Sequence, residues 1–524
     1  MAFFLGFDCS TQSLTAVIID TARKVVVHQH SVVFDEMAPG YGSVNGVLPN
    51  DDSLVKRSNP LMWVAALDQL LAELKASGVD LDEVAAISGS GQQHGTVYLD
   101  AEFQSGGWLR RDTESLQAAV KPHLRRLESP IWMDSSTFDD CRRIEAALGG
   151  AAEVRRRTGS SATERFAGPQ ISAFARQEPK KYRDTAVIHL VSSFFCALLT
   201  GAPAPIDHGD GAGMNLMNLM NLAWDRDLLE ATAPGLREKL PDLCPSDTVV
   251  GTLHPYFRRY GFREGVPVVA WSGDNPSSLI GVGGWKPGTV VISLGTSDTY
   301  FAAMEKPAVD PQGYGHVFGN PAGGFMSLIC FKNGSLARER IRKQFELSWP
   351  EFDRDAFDLT VTGNRGNLML PYFTPEITPL VLNLGPVYEG NRLFKSQKDA
   401  AAIVRALVEA QAMTMRLHSE WIGHRARKLR VTGGASVSDG ICRVLADVFN
   451  ATVERLKTSD SGALGAAMRA AHGVAPLDYS WSSLTRMFSA CESSLTIKPI
   501  AEHVAIYNRL LPAYAALEHS ITRT

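Results

Sequence analysis

The chain opens on an apolar run, Phe3-Phe4-Leu5-Gly6-Phe7, that ends at Asp8 and a polar segment, Cys9-Ser10-Thr11-Gln12-Ser13, before Thr15-Ala16-Val17-Ile18-Ile19-Asp20 resumes the apolar pattern. Two short apolar runs joined by hydroxyl-rich residues predict a β-hairpin with a polar tip. The pattern returns about half a chain later, where Thr289-Val290-Val291-Ile292-Ser293-Leu294 leads through Gly295-Thr296-Ser297-Asp298-Thr299 into Tyr300-Phe301-Ala302-Ala303. Superimposing the tips pairs Ser10 with Thr296 and Thr11 with Ser297. Such a repeat predicts a duplicated, two-lobed chain with its ligand in the cleft between the lobes.

Elsewhere strands and helices alternate. Val84–Ser88 reads as a short buried strand after an amphipathic helix from about Leu61 to Lys75, and Val266–Trp271 as a strand with Pro267 near its start, where a missing N–H is tolerated. A long helix is expected from about Lys398 to Trp421, then a strand at Leu429–Thr432 stopped by Gly433-Gly434 and a further helix from about Asp439. This alternation predicts an α/β protein. Periodicity fades over Pro39–Pro60 and Glu102–Pro130, which read as lobe-specific insertions. The repeated Met-Asn-Leu run from Met214 to Leu222 reads as a bulky packed segment.

Length and charge narrow the classes. A chain of 524 residues exceeds the roughly 250–300 at which single cores stop growing. With 52 Lys+Arg against 56 Asp+Glu and a formal net charge of -4, no basic footprint for nucleic acid or an anionic membrane is expected. An acidic ligand must then be held by a local site. No stretch approaches the roughly 18 apolar residues of a membrane span; the most apolar window, Val187–Leu199, is broken by His189, Ser192 and Ser193. The amino terminus lacks the basic region of a signal peptide, and the seven cysteines are scattered without close pairs. A cytoplasmic chain without a disulfide framework is expected.

Candidate chemistry lies where apolar runs end. The Asp8–Ser13 tip offers hydroxyls and turn amides that suit phosphate oxygens, and a carboxylate there implies Mg²⁺ held through water between Asp8 and the phosphates. A second tip at Gly295-Thr296-Ser297 lets two loops hold one polyphosphate. Gly433 and Gly434 precede a helix, where backbone can approach a nucleotide and the helix amino terminus supplies N–H donors. No Gly-Lys-Ser/Thr motif of a P-loop is present, nor a His-Arg-Asp kinase loop. In Gly273-Asp274-Asn275-Pro276, Asp274 has two readings, general base in phosphoryl transfer or N-cap of the helix starting near Pro276. In Ser90-Gly91-Gln92-Gln93-His94-Gly95 the amides and imidazole suit a polyol, the other reading being a structural histidine.

Taken in order, Gly6–Gln12, Ser90–Gly95, Trp132-Met133-Asp134-Ser135-Ser136, Gly273–Pro276, Ser293–Thr299, Cys330–Ser335 and Thr432–Ser436 resemble the FGGY carbohydrate kinases. Within them the pattern is most similar to the eukaryotic-type kinases of xylulose. The resemblance implies two actin-like (ribonuclease-H-like) lobes with an interlobe active-site cleft, a sugar-binding lobe at 1–262 and an ATP-binding lobe at 263–524. It implies ATP-dependent phosphorylation of D-xylulose to D-xylulose 5-phosphate, with Asp274 taking the proton of the C5 hydroxyl. His94, Arg165 and Asn275 fall on sugar-contacting positions and Asp8 on the position that organises Mg²⁺. Thr11, Gln12, Thr296 and Ser297 fall in the phosphate loops, Gly433 and Gly434 on the adenosine site, Trp349 on a wall for the adenine, and Ser438 where relatives often carry Asn. Asp207 and Asp210 are possible substrate neighbours. The partners implied are a small sugar and ATP, in a monomer or homodimer. The rivals are another FGGY kinase, acting on ribulose, fuculose, gluconate or glycerol, and an actin-like ATPase that phosphorylates no sugar.

Overall fold

The computed structural model describes residues 3–382, 385–456, 460–491, 494 and 496–522. The chain divides into two compact units, Met1–Trp285 with Val317–Met326 and Ser459–Ala490, and Lys286–His316 with Ser327–Thr458 and Cys491–Thr524.

The first unit is built on a mixed sheet. Strands β1 (Phe3–Cys9), β2 (Ser13–Asp20) and β3 (Val25–Val33) form an antiparallel meander, and β4 (Val84–Gly91) and β5 (Pro267–Val269) extend it on the far side of β1 in the order β5-β4-β1-β2-β3. Both β4 and β5 run parallel to β1. Side chains alternate between two cores: Leu5, Phe7, Leu14, Ala16 and Ile18 pack with the Pro60–Ala76 helix, while Phe4, Val17 and Ile19 pack with the Ser461–Val474 helix. Burial on both faces is why these strands read as continuous apolar runs rather than as alternation. The Ser461–Val474 helix sits directly on β1, since a Cβ on Gly6 would fall 2.1 Å from Ala463 O.

The second unit repeats the plan. Strands β6 (Thr289–Leu294) and β7 (Asp298–Met304) form the second hairpin, with Leu294 opposite Asp298. Strands β8 (Lys428–Thr432) and β9 (Thr452–Arg455) add in parallel, giving β9-β8-β6-β7. That matches β5-β4-β1-β2 strand for strand, each core being three parallel strands with the hairpin partner antiparallel. The fold is α/β with two ribonuclease-H-like units, and both predicted hairpins are present.

The units do not divide at 262/263. Strand β5 hydrogen-bonds to β4, and the Asp274–Gly281 helix packs on the Ser461–Val474 helix at two glycines. A Cβ on Gly465 would lie 1.9 Å from Ser277 O, and one on Gly281 2.0 Å from Ser461 O. Both segments therefore belong to the first unit, and the late helix returns to it through small residues that local hydropathy does not register. Within Met214–Leu222, Met214, Leu216, Met217 and Leu219 are buried as expected, while Met220 is exposed.

Candidate active site

In the first unit three strand ends lie side by side. Asp8 on β1 stands in register with Ser90 on β4, and Ser90 with Ser272 in the short Ser272–Gly273 strand. This arrangement brings Asp8 and Asp274 to the carboxyl ends of parallel strands, the usual place for a ligand in a sheet of this kind. Ser90 Oγ donates to Asp8 Oδ1 at 2.6 Å. Gly273, not Asp274, is the N-cap residue, and Asp274 is the first residue of the Asp274–Gly281 helix. The capping reading of Asp274 is thereby set aside. Burial, then the like charge of Asp8, pushes the Asp274 carboxyl up to about 7. Asp8 is raised by burial to about 6, with its Ser90 hydrogen bond acting in the opposite sense. Two carboxyls raised together are poised for a proton or a cation to sit with them.

Around Asp274 the polar groups form a chain. Asn275 Nδ2 donates to Gln93 Oε1 at 2.9 Å and to Asp274 Oδ1 at 3.1 Å. Next to Gln93, His94 occupies the left-handed region at φ 75°, a strain that non-glycine residues carry mainly at functional sites. Its Nδ1 donates to Gly213 O at 2.8 Å, and its ring stacks on Phe166 with centroids 4.2 Å apart. Arg165 precedes Phe166 and places its guanidinium 5.8 Å from that ring. The sugar-side residues expected from sequence are thus brought together. Asp207 caps the His208–Gly211 turn, whereas Asp210 is buried beside this hydrogen-bond chain, accepting from Ser192 Oγ at 2.5 Å, hydrogen-bonded to Gln93 and close enough to Asp274 to feel its charge.

At the hairpin tip, Thr11 Oγ1 accepts from Trp132 Nε1 at 2.8 Å, and Gln12 is exposed. The order of strands at this site depends on a residue that motif reading missed. Arg469 on the Ser461–Val474 helix is fully buried and donates to Ala270 O at 2.7 Å, to Ser246 O at 3.3 Å and to Gly89 O. It ties β4 to the segment that delivers Asp274. Beside it Trp271 stacks between Phe7 and Phe195, at 5.8 and 5.1 Å.

In the second unit, Thr296 and Ser297 form the exposed turn between β6 and β7. Gly433, at φ 88°, approaches β6 so closely that a Cβ would lie 2.4 Å from Leu294 O, while a Cβ on Gly434 would meet nothing within 4 Å. The glycine turn after β8 is therefore packed against β6 at its first residue and open at its second. Ser438 is the N-cap of the Asp439–Phe449 helix, accepting from Ile441 N at 3.1 Å, and donates to Asp353 Oδ1 at 3.0 Å. Both bonds engage its hydroxyl within the protein. Trp349 opens the helix that carries Asp353; it is 48% exposed, with the Arg342 guanidinium 5.3 Å from its ring. Of the expected nucleotide residues, Thr296, Ser297, Trp349, Gly433, Gly434 and Ser438 share this unit, while Thr11 and Gln12 lie in the first.

Residues 123–281 match the N-terminal domain and residues 290–474 the C-terminal domain of the FGGY family of carbohydrate kinases. The chain belongs to that family. It is 42% identical over 529 residues to the xylulose kinase of Rattus norvegicus, an alignment spanning 99% of this chain and 96% of that protein. It is also 40% identical to xylulose kinase 2 of Arabidopsis thaliana, over 90% of this chain and 87% of that one. Its fold matches the crystal structure of the xylulose kinase of Rhodospirillum rubrum, with a TM-score of 0.83 at 21% identity over 99% of both chains.

Proposed function

We propose that the chain transfers the γ-phosphoryl group of ATP to the C5 hydroxyl of D-xylulose, giving D-xylulose 5-phosphate and ADP. The observation that carries the reading is the Asp274–Asn275–Gln93 hydrogen-bond chain beside His94, in a protein 42% identical to a xylulose kinase along nearly its whole length. Asp274, raised to about 7, is matched to a general base at neutral pH. It accepts the C5 hydroxyl proton as that oxygen bonds to the γ-phosphorus and the bond to the β,γ-bridging oxygen breaks. Asn275 and Gln93 hold the carboxylate in place, and His94 and Arg165 orient the sugar. Thr296 and Ser297 with their turn amides receive the phosphates, and Gly433, Gly434 and Trp349 the adenosine. Thr11 and Gln12 belong to the phosphate side of the hairpin tip. Ser438 serves this site as the cap of the helix behind the glycines.

Mg²⁺ fits beside Asp8, where one carboxyl raised by burial and a second raised by burial and by the charge of Asp8 call for a cation if both are to ionise. Bound there it would neutralise charge on the phosphates. The seven cysteines, scattered along the chain without close pairs, favour a reducing cytoplasm. No helix among the described residues is long and apolar enough to cross a membrane, and we expect a monomer or homodimer. The test is ADP release over a panel of xylulose, ribulose, fuculose, gluconate and glycerol. The reading expects the highest kcat/KM for xylulose; a higher value for another member, or ADP release without sugar, would overturn it.

A further inference from the structure

Behind the Gly295–Ser297 turn lies a buried polar brace within the second unit. Asp298, the first residue of β7, forms a bidentate pair with Arg338, Oδ1 to Nη2 and Oδ2 to Nη1 both at 2.9 Å, with both residues almost fully buried. Arg338 lies on the Ser335–Gln344 helix and also donates from Nη1 to Gln411 Oε1 at 2.7 Å. Gln411, on the Ala400–His418 helix, turns its Nε2 to Asn333 O at 2.8 Å and Gly334 O at 3.0 Å. Asn333 is fixed in turn by Glu376, which accepts from its backbone N at 2.9 Å and from its Nδ2 at 2.8 Å. The segment so held lies against the turn, for Ser335 N donates to Gly295 O at 3.0 Å and a Cβ on Gly334 would come within 2.9 Å of Thr296 O.

Burying Arg and Asp is a poor way to gain stability, because apolar residues of similar volume commonly do as well or better. What such a pair does supply is direction. A planar guanidinium with fixed partners on both sides admits one geometry, and Gln411 carries that geometry from the Ala400–His418 helix to both flanks of the turn. Neither residue is exposed enough to reach a ligand: Arg338 is 1% and Gln411 9% exposed.

We propose that Arg338 and Gln411 are positioning residues that hold the Gly295–Ser297 turn in the shape that receives the phosphates of ATP. This rests on the phosphate-binding reading of that turn and deepens it. Donors to a transferring phosphoryl group act by being already in place, and small displacements of such groups cost up to about 10²-fold.

The test uses Gln411→Met, which leaves the Asp298–Arg338 pair intact, and Arg338→Lys, which keeps the charge and loses the fork. Each should raise the KM for ATP about tenfold or more while leaving the KM for xylulose within about twofold, with unchanged circular dichroism. A merely structural role would lower the active fraction or move both KM values alike, and either result would overturn the proposal. If Arg338→Lys does not fold, Gln411→Met decides alone. The double change Thr296→Val with Ser297→Ala tests the underlying reading separately. If it leaves the KM for ATP unchanged, the turn does not bind phosphate and the proposal falls with that reading. If it raises that KM while Gln411→Met does not, the proposal alone fails.

Discussion

Asp274 carries two consequences of opposite sign. Burial, then the charge of Asp8, pushes its carboxyl from the ordinary 3.8 up to about 7, so the folded state favours the protonated form. The proton must leave before the residue can act as a base. The kcat/KM for sugar should therefore fall as pH drops through about 7, approaching tenfold per unit below it; a flat profile between pH 5 and 8 would remove Asp274 from that role. Asp274→Asn should lower kcat by at least about 10²-fold. For stability, a raised folded pKa gives a contribution that is complete below the unfolded value and is lost as pH rises through the folded one. Asp274→Asn should accordingly raise the Tm of the ligand-free protein at pH 8 and not at pH 3.5, measured by calorimetry, and a lowered Tm at pH 8 would contradict the electrostatic account. His94 has a different signature. Its ring is held by Gly213 and Phe166, and under the proposed reading it faces the sugar, so His94→Ala should raise the KM for xylulose more than that for ATP, and equal effects would count against sugar contact.

At the scale of elements, the site depends on how strands are tied together, and here local pattern and tertiary structure part company. The hairpins, the Pro60–Ala76 helix, the Ala400–His418 helix and strand β8 were legible because hydropathy periods and glycine stops are local signals. Whether Asp274 caps its helix could not be read locally; the backbone makes Gly273 the cap. Arg469 left no such signal. It sits in an alanine-rich helix about two hundred residues from the nearest carbonyl it reaches, and the small-residue spacing of Gly462 and Gly465 hints at close packing without saying against what. The Asp298–Arg338–Gln411 brace was equally silent, since its members are far apart in sequence. Arg469→Met should leave the carbonyls of Gly89, Ala270 and Ser246 without their buried donor. That costs on the order of 3 kcal/mol, read as a lowered urea midpoint at unchanged m-value. An unchanged midpoint would show that those carbonyls find other partners.

For the whole molecule, the duplication seen in two hairpin tips extends to four strands of each sheet, in the same order and with the same directions. The halves are nevertheless not successive halves of the chain, because Ser459–Ala490 rejoins the first unit. A cut read from linear sequence misses that return, which depends on glycines lying against backbone. The net charge of -4 is compatible with an ATP enzyme when phosphates are received by turn amides, hydroxyls and a cation rather than by a basic surface. The central claim is tested most directly by incubating the purified protein with ATP, Mg²⁺ and D-xylulose and following the products by ³¹P and ¹³C NMR. The predicted result is one sugar monophosphate, substituted at C5, for each ADP formed. ADP appearing without sugar phosphate, or a phosphate on another carbon, would contradict it.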